Sequence, residues 1–101
     1  MPAIKPERRE AYRNTLTALL ERMSAFNDAP FGLEDGDITY LITKILVCYV
    51  KLRKKSYKVL KDVDGILGTA SKEFYRQITA PYENQKFKDN DPKDEIYGEI
   101  R

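Results

Sequence analysis

Apolar residues recur at helical spacing in three stretches of the chain. In the first, residues 6–26, they follow the i, i+3, i+4, i+7 order of one helix face. These residues are Tyr12, Leu16, Leu19, Leu20, Met23 and Phe26. Pro6 suits the first position of a helix, where no backbone N–H is needed. We predict a helix here, followed by an acidic loop of turn-forming residues at 27–36.

The second stretch begins near Asp37, whose carboxylate can cap the free N–H groups of a helix start. Its apolar residues cover most of the helix circumference: Ile38, Leu41, Ile42, Ile45, Leu46, Val47, Cys48, Tyr49, Val50 and Leu52. A β-strand over residues 45–50 is the alternative, since β-branched and aromatic residues favour strands. We prefer a helix, because the helical period extends beyond those six residues. Such a helix is typical of a core or an oligomer interface.

The third stretch, residues 56–79, has Ser56 as a candidate N-cap. Its apolar stripe consists of Tyr57, Leu60, Val63, Leu67, Ala70, Phe74 and Ile78. Gly65 and Gly68 allow two interpretations, the close approach of another helix or a break. Pro81 disfavours helical geometry at Ala80 and therefore ends or kinks the helix, after which a short helical turn can restart.

The remaining residues are expected to form arms. From Phe87 onwards the chain has no helical period, and residues 88–95 are mostly polar. Ile96, Tyr97 and Ile100 are apolar enough to dock on a partner subunit. The sequence thus predicts an all-α, three-helix bundle with extended N- and C-terminal arms, divided into a helical domain at 1–88 and a polar arm at 89–101.

Composition narrows the functional classes. The chain has 101 residues, 42% of them hydrophobic and 34% charged, with a formal net charge of +2. These values fit one small globular domain, and the weak net charge gives no general attraction to nucleic acid or membrane. No signal peptide or membrane-spanning run is visible.

Cys48, the single cysteine, lies in an apolar run, so we expect a buried thiol and a reducing cytoplasm.

Catalysis has little support in the sequence. The chain contains no histidine, which excludes the Ser–His and Cys–His arrangements of nucleophilic catalysis. It also lacks a Cys/His set for zinc. We therefore expect a protein that is not an enzyme, with no catalytic residue, no bound metal and no cofactor.

Two groups of residues are candidates for binding. The basic segment, residues 51–61, has six cations and no acid: Lys51, Arg53, Lys54, Lys55, Lys58 and Lys61. It can follow a phosphate backbone or an acidic protein surface such as the 28–37 loop, or it can be a solvated turn in which cations favour a helix C-terminus.

The second group surrounds the proline and consists of Lys72, Tyr75, Arg76, Tyr82 and Lys86. Tyrosine rings stack on bases and arginine forks hold phosphates, so the group fits a nucleotide-like ligand. The alternative is a structural network at a helix end, with Arg76 paired with Glu73 or Glu83 and Tyr82 packed back onto the third helix.

Three blocks of the sequence resemble a family of small uncharacterised bacterial and bacteriophage proteins. They are residues 1–9 (MPAIKPERR), 36–46 (GDITYLITKIL) and 73–86 (EFYRQITAPYENQK). The family is a domain of unknown function, so the resemblance implies no binding or catalytic residues. It implies a bacterial or phage setting, and thus the cytoplasm of a bacterial host. The arm after Lys86 is longer than is usual in that family.

These observations give two functional hypotheses. The first is a small phage-type binding protein that acts as a homo-oligomer, a dimer or higher, because helix two exposes more apolar surface than two neighbours can cover. It would capture a host protein or a small anionic nucleotide, with counter-defence as the sharpest version. The alternative is a nucleic-acid-binding accessory protein that uses the basic segment.

Overall fold

The computed structural model describes residues 4–95 and 98–100. Every regular element in these residues is helical, which confirms the predicted all-α class. The chain divides into two compact units, residues 1–55 and 56–101. The sequence-based division into a helical domain at 1–88 and a polar arm at 89–101 is a different division, and it stays a prediction.

The first unit begins with two helices where the sequence predicts one. Helix α1 spans Pro6–Glu10 and helix α2 spans Arg13–Asp28. Between them, the N–H groups of Ala11 and Tyr12 bond to carbonyls only three residues back. These shorter bonds tighten the turn, and the apolar spacing of the side chains does not reveal that change.

Helix α3 spans Asp35–Arg53 and confirms the helical interpretation of residues 45–50. It begins two residues before the predicted start because Glu34 and Asp37 form a reciprocal capping box. The Glu34 N–H donates to the Asp37 carboxylate at 2.9 Å. The N-cap is therefore Glu34, and Asp37 contributes to the cap from the third position of the helix instead of beginning it. The helix ends at Arg53, and the C-cap residue that follows, Lys54, has a φ of +70°.

The second unit is built on one long helical stretch. Helix α4 spans Tyr57–Phe74, a π-helix spans Tyr75–Thr79, and helix α5 spans Ala80–Asn90. Ser56 is the N-cap, as predicted, since its hydroxyl accepts the Val59 N–H at 3.2 Å. The tail predicted to start at Phe87 in fact begins after Asn90. Asp91 accepts the Glu95 N–H there at 2.9 Å.

The two glycines of α4 neither break the helix nor receive a close neighbour. A Cβ atom built on Gly65 or Gly68 meets nothing within 4 Å. At 100° per residue, both glycines lie on the polar side of α4, away from the stripe that contains Leu67. The break is therefore wrong, and no helix in the described part of the chain makes the close approach that was the other interpretation.

The π-helix explains how the chain passes Pro81 without stopping. Proline has no N–H to donate, and its ring crowds the preceding turn of an α-helix. In the wider turn just before it, the Ala80 N–H bonds to the Tyr75 carbonyl five residues back. The helix therefore continues through α5, instead of ending at Ala80 as the sequence indicates.

The described residues of the two units bury almost no side chains. Among residues 4–95 and 98–100, Val59 alone is buried. Cys48 is exposed, which corrects the expectation of a buried thiol. The prediction failed because no described part of the chain covers that side of α3. Ile96 and Tyr97 of the predicted docking arm lie outside the described residues, and Ile100 is exposed.

Candidate functional site

The residues predicted to bind a ligand lie along one helical stretch of the second unit. Lys72 is in α4, Tyr75 and Arg76 are in the π-helix, and Tyr82 and Lys86 are in α5. All five are exposed. We call this group the π-helix cluster.

The wider turn aligns two polar side chains within this region. The Tyr75 hydroxyl donates to the Glu83 carboxylate at 3.1 Å, across eight residues of sequence. In a regular α-helix, residues eight apart are turned about 80° from each other. The π-helix needs more residues per turn, which brings the two side chains onto one face. The hydrogen bond therefore depends on the π-helix.

Arg76 pairs with Glu73, one of the two partners considered from the sequence. Its guanidinium Nη2 lies 2.9 Å from the Glu73 carboxylate. An exposed pair of this kind contributes little to stability. The side chain of Arg76 is 66% exposed, so its guanidinium can exchange this carboxylate for an incoming anion.

Two pKa shifts follow from these contacts. The hydrogen bond from Arg76, with its positive charge, lowers the pKa of Glu73 below the ordinary glutamate value. The hydrogen bond to Glu83 raises the pKa of Tyr75, because a phenolate would lose that bond and face a negative carboxylate. Glu73 thus stays ionised and Tyr75 stays a hydrogen-bond donor at neutral pH.

Tyr82 is available to a ligand. Its side chain is 64% exposed, so the alternative in which it packs back onto the third predicted helix is wrong. The Lys86 ammonium lies 5.7 Å from the centre of the Tyr82 ring. This cation–π contact holds a positive charge beside a flat aromatic face. The pair offers stacking and charge at one place.

All six cations of the basic segment are exposed. Lys51 and Arg53 end α3, and Lys54 and Lys55 follow it. These four cations belong to the first unit, whereas Lys58 and Lys61 belong to the second.

Three of these cations have neighbours within the chain. Lys58 pairs with Asp62 at 3.0 Å, and Lys61 lies over the Tyr57 ring at 5.1 Å. Arg53 lies 5.6 Å from the centre of the Tyr49 ring. The six cations therefore differ in their surroundings: Lys58 is paired with a carboxylate, whereas Arg53 and Lys61 lie over tyrosine rings.

The first unit has an apolar surface that the sequence did not identify as a site. A cleft of about 710 Å³ is lined almost entirely by apolar atoms, which belong to residues between Ile4 and Leu19 and to Ile45 of α3. Its lining residues are Ile4, Arg9, Tyr12, Thr15, Leu16, Leu19 and Ile45. We call it the apolar cleft.

A smaller groove of about 240 Å³ lies between α2 and α3 near the 29–34 loop. Phe26 and Phe31 pack edge to face beside it, with ring centres 5.5 Å apart. The sequence placed Phe31 in the acidic loop and indicated a core or an oligomer interface for the apolar residues of helix two, without assigning a site. Their exposure in the folded chain identifies the surface.

No helix in the described part of the chain is long and apolar enough to cross a membrane. A family model described as "Domain of unknown function (DUF6899)" matches residues 1–91. No curated protein and no solved structure matches the chain.

Proposed function

We propose, from the premise that the chain belongs to the DUF6899 family, that it is a non-enzymatic binding protein that acts as a homo-oligomer. The observation that carries this proposal is the missing interior. Apart from Val59, no side chain in residues 4–95 and 98–100 is buried. Large apolar side chains are exposed in both units instead.

Most of the stability of a protein helix comes from packing its apolar face, because isolated helices are marginal in water. Burying one large aliphatic side chain contributes about 1.5–3 kcal/mol. Leu16, Ile45 and Phe74 are each half exposed or more. A second copy is a partner that every such chain has, and closed homo-oligomers are the commonest soluble assemblies.

The ligand proposed for the π-helix cluster is a small anion with an aromatic base, such as a nucleotide. Tyr82 supplies an exposed ring face for stacking, and Arg76 supplies a guanidinium fork for phosphate. Lys72, which precedes these residues in the sequence, and Lys86, which follows them, add positive charge. The three-helix bundle with arms remains our proposal for the arrangement of the chain.

The phage setting and the counter-defence role are the most specific part of the proposal. They rest on the sequence resemblance to bacterial and bacteriophage proteins. An oligomer that captures a nucleotide signal or a host protein in the bacterial cytoplasm would act by withholding it, which requires binding and no catalysis.

Light scattering after size-exclusion chromatography tests the assembly. We expect a mass of at least two chains at micromolar concentration and a shift towards smaller species on dilution. A mass of 11.7 kDa, that of one chain, at every concentration would contradict the proposal.

Calorimetry with mono-, di- and cyclic nucleotides tests the ligand. Tyr82→Ala should weaken binding, since stacking on one base contributes about 1–3 kcal/mol. Tyr57→Ala is the matched control, because Tyr57 is also exposed and also has a lysine four residues later over its ring. Equal effects of the two changes, or no binding across the panel, would contradict the assignment.

The alternative function is a nucleic-acid-binding accessory protein, favoured by the exposure of all six cations of the basic segment. Its signature is DNA or RNA binding that weakens steeply with salt. Replacing Lys51 and Lys55 by glutamate should then reduce binding to every sequence alike. Binding that is absent, or unaffected by these changes, removes this alternative.

A further inference from the structure

The first unit carries opposite charges at its two ends. Its acidic tip consists of Asp28 at the end of α2 together with Glu34, Asp35 and Asp37 at the start of α3. The 28–37 stretch contains no cation. Its basic base consists of Lys51, Arg53, Lys54 and Lys55 at the other end of α3.

The two ends do not neutralise each other within one chain. Helix α3 has 19 residues, so its ends lie about 28 Å apart. Charges at that distance are screened at physiological salt, where the Debye length is about 8 Å. Each end therefore presents its charge to a partner rather than to the other end.

An exposed apolar surface lies between the charged ends. Tyr12, Leu16 and Ile45 line the apolar cleft and are at least half exposed. Leu20 and Ile42 extend the exposed apolar surface on α2 and α3. An apolar patch rimmed by charged residues is typical of a protein–protein interface.

We propose that the occupant of this face is a second copy of the same chain, packed antiparallel about a two-fold axis. In that arrangement the acidic tip of each copy lies against the basic base of the other, while the two apolar clefts close on each other. A parallel pairing would place tip against tip and base against base, which like charges disfavour. This inference rests on the proposed homo-oligomer and specifies its interface.

Charge changes at the two ends of the 101-residue chain test the pairing. The tip variant is Asp28→Lys with Asp35→Lys, and the base variant is Lys51→Glu with Lys55→Glu. Each variant changes its end from four like charges to two of each sign, which removes the attraction at both tip–base contacts, so its dimer dissociation constant should rise roughly tenfold at low salt. The variant with all four changes should dissociate little more readily than either single-end variant, because one change already removes the attraction between the two ends.

Sedimentation at low and high salt provides the measurement, and far-UV circular dichroism verifies that each variant is helical. High salt should bring the wild type towards the single-end variants, because screening weakens the attraction that the wild type alone retains. Single-end variants that associate as tightly as the wild type, or a combined variant whose loss of affinity is the sum of the two single-end losses, would overturn the antiparallel pairing. So would a base variant that no longer binds DNA but associates like the wild type.

These outcomes are distinct from failure of the proposed function. A chain that stays monomeric at every concentration refutes the homo-oligomer itself. A chain that associates without sensitivity to either reversal refutes only this interface.

Discussion

Replacing Ile45 by alanine distinguishes a chain that stands alone from one whose apolar cleft is covered by a second copy. Ile45 is 63% exposed and lines that cleft. Complete burial of an isoleucine side chain contributes about 1.5–3 kcal/mol. The chain itself covers only about a third of this side chain, so truncation should cost a lone chain roughly 0.5–1 kcal/mol.

If a second copy covers the cleft, the expected loss of stability is larger. Ile45→Ala then leaves a cavity inside the interface, and such truncations lower the free energy of unfolding by about 2–5 kcal/mol. The free energy of unfolding, measured by urea titration with far-UV circular dichroism, separates the two cases. Association also makes the wild-type midpoint rise with protein concentration.

Val47→Ala is the matched control. Val47 is two residues further along α3, about 200° around the helix, and it is not among the residues that line the cleft. We expect its truncation to cost less than about 1 kcal/mol. Equal small losses for both variants, with a midpoint independent of concentration, would refute the reasoning.

Four further changes test local features. Ser56→Ala should lower the free energy of unfolding by about 1 kcal/mol, because it removes the side-chain cap of α4. Ser56→Asp should keep most of that stability, since aspartate also caps helices, and thermal unfolding measures both variants. Lys54→Gly should stabilise the chain by up to about 1 kcal/mol in the same assay, because Lys54 has φ +70°. The Tyr75–Glu83 contact favours protonated Tyr75, so its contribution to the free energy of unfolding is present below the ordinary tyrosine pKa and is lost as the pH rises through the raised pKa. Glu83→Gln should return the pKa of Tyr75 towards its ordinary value, as measured by an NMR titration of the labelled ring. Pro81→Ala should allow a regular α-helix, raise stability by up to about 3 kcal/mol and separate Tyr75 from Glu83; a pKa of Tyr75 that stays raised would contradict this account.

The sequence predicted the helical class and several helix ends because these depend on local chemistry. Ser56 caps α4 through its own hydroxyl, and Pro6 begins α1 where its missing N–H has no cost. Likewise, the extended apolar period correctly predicted a helix at residues 45–50.

The errors arose where the outcome depends on neighbours or on exact turn geometry. Pro81 indicates the end of an α-helix. The sequence around it does not reveal that a π-helix before it lets the helix continue without the hydrogen bond that proline cannot donate. The spacing of apolar residues likewise predicts on which face of α3 Cys48 lies, but it does not predict whether another helix packs on that face. The candidate binding residues could be identified by type, whereas the link between Tyr75 and Glu83 needed the structure.

The two proposed activities lie in different parts of the chain, and this separation makes them independently testable. The apolar cleft and the charged ends of α3 belong to the first unit, and the π-helix cluster belongs to the second. A change such as Tyr82→Ala removes an exposed ring without touching the cleft, so it should leave the concentration dependence of unfolding intact. Ile45→Ala should weaken association and leave the intrinsic ligand contacts in place. If either change impaired both activities equally, the ligand would have to bind at a surface that exists only in the assembled oligomer.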